Sequence, residues 1–294
     1  MTRLILPPAD PLPNYSTPEK LVAAMGQLPA IAQVLARLQR LLSDTNSSLD
    51  DVTALMRLDA AMSTRVVQIS NSAWYRRGTA CETIDEAVNR VGFREIYHLV
   101  SVVGSRAIIA QPLAAYQRDA VATWRESLAC AFAAETLASR LGEDSAIAYM
   151  SGLLHGIGRL ALNKGLTTAW APSRTLVDSG FPGDFSGAEL ALFGFTQADV
   201  AALMLQKWGF APESVEAVRH QYDPLAAEEP NDRMSAILYA ARFVRTCLCQ
   251  GEPPAELEGA DDVFHSIRLE RADLLELLPA LQDQVARAVQ MPGT

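Results

Sequence analysis

Between Thr17 and Gly251 the chain repeats one pair of signals: a side chain able to cap a helix start, then a glycine able to close it. Thr17 precedes Pro18-Glu19, and Ser48, Thr83, Ser186 and Thr196 are each followed three residues on by Asp51, Glu86, Glu189 and Asp199. Such pairs offer an oxygen to the free amides of a first turn and an acid to its positive dipole end. Gly92, Gly142, Gly194, Gly209 and Gly251 stand where a left-handed residue would end each helix. In between, apolar residues recur at three- and four-residue steps, as in Ile31, Val34, Leu35 and Leu38, or Leu128, Phe132, Leu137 and Leu141. Strand-like alternation is nearly absent, and no Asn-Gly or Asp-Gly hairpin turn occurs. The pattern predicts an all-α chain.

Composition shifts divide it. Residues 1–17 form a proline-rich, irregular arm, followed by an N-terminal helical unit over 18–115 and a second helical bundle over 116–226. The remainder, 227–294, predicts helices at about 231–250 and 269–290 whose apolar faces dock on the rest. The acidic stretch "QGEPPAELEGADD" (250–262) reads as a surface loop.

Bulk properties remove several function classes. With 25 basic and 34 acidic residues the net charge is −9, which argues against a broad nucleic-acid surface. The first residues lack the apolar core of a signal peptide, and no run reaches the roughly 20 apolar residues that span a bilayer. Cys81, Cys130, Cys247 and Cys249 lie among apolar neighbours and read as reduced core residues of a cytoplasmic protein. No Gly-rich phosphate loop and no nucleophile elbow is present.

Three ordered segments carry a resemblance. The first runs "LPAIAQVLARLQRLL", "LMRLDAAMSTRVVQISNSAWY" and "ETIDEAVNRVGFREIYHLV", with Leu28-Pro29, Asp59, Asn71-Ser72 and Gly92 at its turning points. The second is "WRESLACAFAAETLASRLG" leading to "YMSGLLHGIGRLAL"; the third is "GFTQADVAALMLQKWGFAPESVEAVRHQYDP". Together, over about residues 20–225, they resemble the HDOD group, the HD-related output domains. That resemblance implies a helical bundle packed on a degenerate HD-like bundle, in a bacterial signalling protein of two-component or cyclic-dinucleotide pathways.

The resemblance also gives "SGLLHGIG" its meaning. HD phosphohydrolases hold divalent metal with histidines and aspartates, and the metal polarises phosphate and activates water. Here Gly156 stands where those relatives place the aspartate after His155. Thr196 and Gln197 replace a histidine, the closing doublet is His220-Gln221, and Glu126 sits near the position of the first histidine. His155, Gly156 and His220 are therefore read as the remnant of a metal site, with no catalytic residue, metal or cofactor expected. A catalytic metal normally needs three protein ligands, and the remaining imidazoles suit magnesium or manganese poorly.

The leading reading is a non-catalytic signalling output module, of the response-regulator kind, that works through a protein partner. A residual phosphohydrolase and a nucleotide or anion sensor in the old metal cleft are the alternatives. Neither nucleic acid nor membrane is expected as a partner. A partner surface is read at "NSAWYRRG", where Asn71, Ser72, Trp74, Tyr75, Arg76 and Arg77 combine aromatic and guanidinium groups at a helix end. The plainer reading of that stretch is a helix cap followed by a solvated turn.

Overall fold

A computed structural model describes residues 17–26, 30–44, 46–57, 60–72, 75, 78–169, 185–251 and 259–290. Among them the chain is helical throughout, and its only β-type pairing is an isolated bridge between Leu113 and Arg118. Six helices come first: α1 (Pro18–Ala24), α2 (Ala30–Ser43), α3 (Leu49–Arg57), α4 (Ala60–Ser70), α5 (Ile84–Val91) and α6 (Phe93–Ile109). After a 3-10 turn at Ala114–Tyr116 follow α7 (Ala120–Leu141), α8 (Ser145–Leu154), α9 (Gly158–Ala169), α10 (Ser186–Phe193), α11 (Gln197–Trp208) and α12 (Pro212–Arg219). The last four are α13 (Asp232–Gln250), α14 (Ala260–Ser266), α15 (Arg271–Leu275) and α16 (Leu278–Val289).

Most of the expected punctuation forms as read. Thr17 and Thr83 cap their helices, Ser48 and Asp51 exchange hydrogen bonds, and Thr196 with Asp199 closes a full capping box. All five stop glycines take positive φ. Three expectations are corrected. Ser186 is the first helical residue of α10, not its cap, because Glu189 is drawn into the core instead of turning back. Part of the expected loop at 250–262 is helix, since Ala260 opens α14 and buries itself with Val263 and Phe264. The single helix expected over 269–290 is broken after Leu275, and Pro279 marks the first turn of its second piece.

Helix α7 is the axis of the molecule. It packs against α8, α13, α16 and α6, and its small residues Ala129, Ala131, Ala133 and Ala134 are fully buried. Gly152 on α8 meets this surface so closely that an added Cβ would lie 2.6 Å from the Cys130 carbonyl oxygen. The first unit is stitched to the second by polar contacts. Buried Gln39 of α2 donates to Ser214 Oγ at 2.7 Å and accepts from the Ala211 amide at 3.1 Å, while α1 lies on α11 and α9. One buried apolar cluster runs through all three stretches of helices. The first sixteen residues, Leu28-Pro29 and Asp59 lie outside the described residues.

Candidate functional site: an arginine cluster around His155

The turn His155-Gly156-Ile157 joins α8 to α9, and a glycine on either side holds it. Gly152 lets α8 reach α7; an added Cβ on Gly158 would lie 2.0 Å from the Gln197 carbonyl oxygen, so only glycine lets α9 approach α11. His155 is 1% exposed. Its Nδ1 is 2.6 Å from the Gly152 carbonyl oxygen, which can only accept, so the proton sits on Nδ1 and the Nε2 lone pair is the free face. That lone pair faces Arg245 Nη1 at 3.2 Å. Burial above all, then Arg245 and Arg159, hold the His155 pKa well below 6.5. The ring is neutral.

Two glutamines grip the main chain of this turn. Gln197 and Gln221, both fully buried, each donate Nε2 to the His155 carbonyl at 3.0 Å. Gln197 also reaches the Tyr222 hydroxyl at 2.9 Å. His220 is not part of this arrangement. It caps α12, a quarter exposed, with Nε2 3.5 Å from Glu216 Oε2, while its neighbour Gln221 turns inward.

Three nearly inaccessible arginines complete the site: Arg159 on α9, and Arg242 and Arg245 one turn apart on α13. Glu126 of α7 gathers two of them with Arg118, its carboxylate 2.9 Å from Arg118 Nε and 3.7 Å from both Arg159 Nη1 and Arg245 Nη1. Arg242 donates to the Gln221 carbonyl and lies 4.3 Å above the Tyr222 ring. Arg159 lies over Tyr116 and Phe185. Glu189, fully buried, accepts from the Tyr116 hydroxyl at 2.9 Å and the Gln197 amide at 2.7 Å. What space is left is a cavity of about 20 Å³ lined by Glu126, His155, Gly156 and Arg159 among others.

A divalent metal does not fit these residues. Its imidazole donor already faces a guanidinium, the Glu126 carboxylate is shared by three, and Glu189 is taken up by the Tyr116 hydroxyl and the Gln197 backbone N–H. A cation placed at His155 Nε2 would meet Arg245 at close range in a low-dielectric site, where like charges repel strongly. Among the described residues no group of three or more His, Cys, Asp or Glu side chains could hold a metal ion. A side chain on Gly156 would grow toward Arg159, whose Nη1 is 3.9 Å from the position of an added Cβ.

Arg242, Arg245 and Glu189 are absent from the sequence-based site. For the two arginines the signal was nonetheless there: "AARFVRTC" sets two cations among apolar residues, which demands buried acceptors. In the other candidate region Asn71 is a brace, its amide accepting from the Cys81 N–H at 2.7 Å and donating to the Cys81 carbonyl at 2.8 Å. Ser72 takes part in the helix-ending turn, and the Tyr75 hydroxyl donates to Glu95 at 3.1 Å. Trp74, Arg76 and Arg77 lie outside the described residues.

Residues 28–224 match the HDOD domain. The chain belongs to the HDOD domain family. An HDOD protein of Geobacter sulfurreducens, of unknown function, superposes with a TM-score of 0.72 at 19% identity, covering 94% of this chain and 97% of its own. A protein of Marinobacter aquaeolei VT8 named for signal transduction gives 0.71 at 25% identity, covering 93% of this chain and 60% of its own. A structure from Shewanella amazonensis SB2B named as a phosphohydrolase gives 0.60 at 24% identity, covering 93% of this chain and 96% of its own. An uncharacterized protein of Treponema pallidum (strain Nichols) is 24% identical over 264 residues, 87% of this chain. The HDOD chain spans half the length of that curated relative. Among the described residues no single helix is long and apolar enough to cross a membrane.

The buried neutral histidine has a measurable consequence. Its folded pKa is depressed, so its contribution is complete above 6.5 and is lost as pH falls toward the folded value, because only the unfolded chain takes up the proton. As pH falls below the ordinary histidine range this one group should lower stability, by on the order of 1 kcal/mol per pH step of one. His155→Gln should flatten that part of the urea-titration pH profile. An unchanged slope in the variant would mean that another group sets it.

Proposed function

We propose that this HDOD chain is a non-catalytic signalling module of the cytoplasm that acts through contacts with protein partners. One observation carries the reading: the Arg245 guanidinium stands 3.2 Å from the only free nitrogen of His155, in the direction a metal would need. Guanidinium supplies positive charge but has no vacant orbital for a phosphate oxygen or a water, so it replaces the ion's charge and not its Lewis acidity. The HDOD family is related to the HD phosphohydrolases, and the arginines at this site meet a carboxylate, an imidazole and a main-chain carbonyl of the same chain. The signalling role is supported by the family and by the name of the Marinobacter relative. A sensor in the old cleft has less support, because about 20 Å³ admits a water-sized group and not a nucleotide.

Elemental analysis of untagged protein, dialysed without chelator, tests the catalytic half of this proposal. Manganese, iron, nickel and zinc should each stay well under one equivalent, and a phosphodiester substrate should hydrolyse at the background rate. Stoichiometric metal that disappears in His155→Ala, accompanied by hydrolysis, would overturn it.

A further inference from the structure

A second and much larger cavity lies away from the arginine cluster. It occupies about 400 Å³ between α5, α6 and α16, inside the range of small-ligand pockets. Its apolar surface comes from Val91, Val102, Phe132 and Ala288. Two arginines from different helices line it, Arg90 at the end of α5 and Arg287 in the last turn of α16. Among the described residues the only lining carboxylate is Glu95, and it accepts a hydrogen bond from the Tyr75 hydroxyl at 3.1 Å. His98 also lines the cavity, but the acid behind it, Glu135, is held by Arg94 at 2.9 Å and by His98 itself at 3.0 Å. Two guanidiniums against one engaged carboxylate make this a cationic concavity on a chain of net charge −9.

The geometry points to a binding site here for a compact organic anion, one acid group on an aromatic or alicyclic body. The acid group meets Arg90 and Arg287, for which a planar fork and fixed charge suit carboxylate, sulfonate or phosphate alike. The apolar body packs against the half-buried Val91 and Tyr75, with Phe132 and Val102 buried beneath them. Arg287 belongs to α16, beyond the 28–224 stretch that matches the HDOD domain, so one wall is supplied by the C-terminal helices. A bound anion would bridge α5 to α16, tying the first helical unit to the last. The inference is independent of whether the His155 site is catalytic.

Fluorescence titration with 8-anilinonaphthalene-1-sulfonate tests it, with the neutral N-phenyl-1-naphthylamine as the comparison probe. The sulfonate should bind saturably at one site. Arg90→Gln with Arg287→Gln should weaken it at least about tenfold, while the neutral probe changes less than about twofold. Gln284→Trp, placed on the rim by a half-buried residue, should block both probes without moving the melting temperature. Absence of saturable sulfonate binding, a smaller loss in the double variant, an equal loss for both probes, or undiminished binding in Gln284→Trp would each overturn the assignment.

Discussion

Gly158→Ala should destabilise the protein by about 3 kcal/mol or more, at or beyond the upper end of ordinary overpacking. The new methyl would arrive 2.0 Å from the Gln197 carbonyl oxygen and 2.9 Å from the Ala201 amide nitrogen. Both are main-chain atoms, so no side-chain rotation relieves the contact. Helix α9 or α11 has to move, and the movement reaches the site, because Gln197 also donates to the His155 carbonyl. The substitution should therefore lower the urea midpoint sharply and flatten the pH dependence assigned to His155. Gly187→Ala is the comparison, since an added Cβ there meets nothing within 4 Å. Equal midpoints for Gly158→Ala and the parent chain would show that the two helices are not so tightly apposed.

The difference between these glycines shows which information a sequence carries. Gly92, Gly142, Gly194, Gly209 and Gly251 were legible because helix termination is local, decided within one turn of the residue. Gly152 and Gly158 do a long-range job, admitting the backbone of another helix, and nothing within a turn of them says so. The same division explains the site. His155, Gly156 and the neighbourhood of Glu126 were found because the resemblance supplied an order of motifs along the chain. Gln197 and Gln221 were read as losses of ligands; that both would turn to one carbonyl depends on how α11 and α12 converge. Glu189 was taken for a local capping acid, a reading valid only if no buried donor competes. Tyr116, 73 residues earlier, does compete, with the Gln197 amide. Arg242 and Arg245 carried a local signal of a different kind, cations in an apolar stretch of helix, whose partners lie on α7, in the turn after α8 and in the turn after α12.

Removing the carboxylate at the centre of that cluster should have the other large effect. Glu126→Gln keeps the shape of the side chain but leaves Arg159 and Arg245, 5% and 2% exposed in their side chains, without their shared counter-charge. Breaking one side of a buried ionic group typically costs about 3–5 kcal/mol, and the partial exposure of Glu126 and Arg118 places this case near about 3 kcal/mol. Arg245→Met should also destabilise, since it strips Glu126 and the His155 Nε2 of a partner. If the two act as one network, the double variant Glu126→Gln/Arg245→Met loses less than the sum of the single losses, by at least about 1 kcal/mol. Strict additivity in the urea-derived stabilities would refute the network. The cycle also distinguishes two accounts of why these polar residues are kept. A relic under no constraint would tolerate either single change. A site whose packing depends on the ionic network would not, because the Glu126 carboxylate would then be fixed in place by Arg118, Arg159 and Arg245.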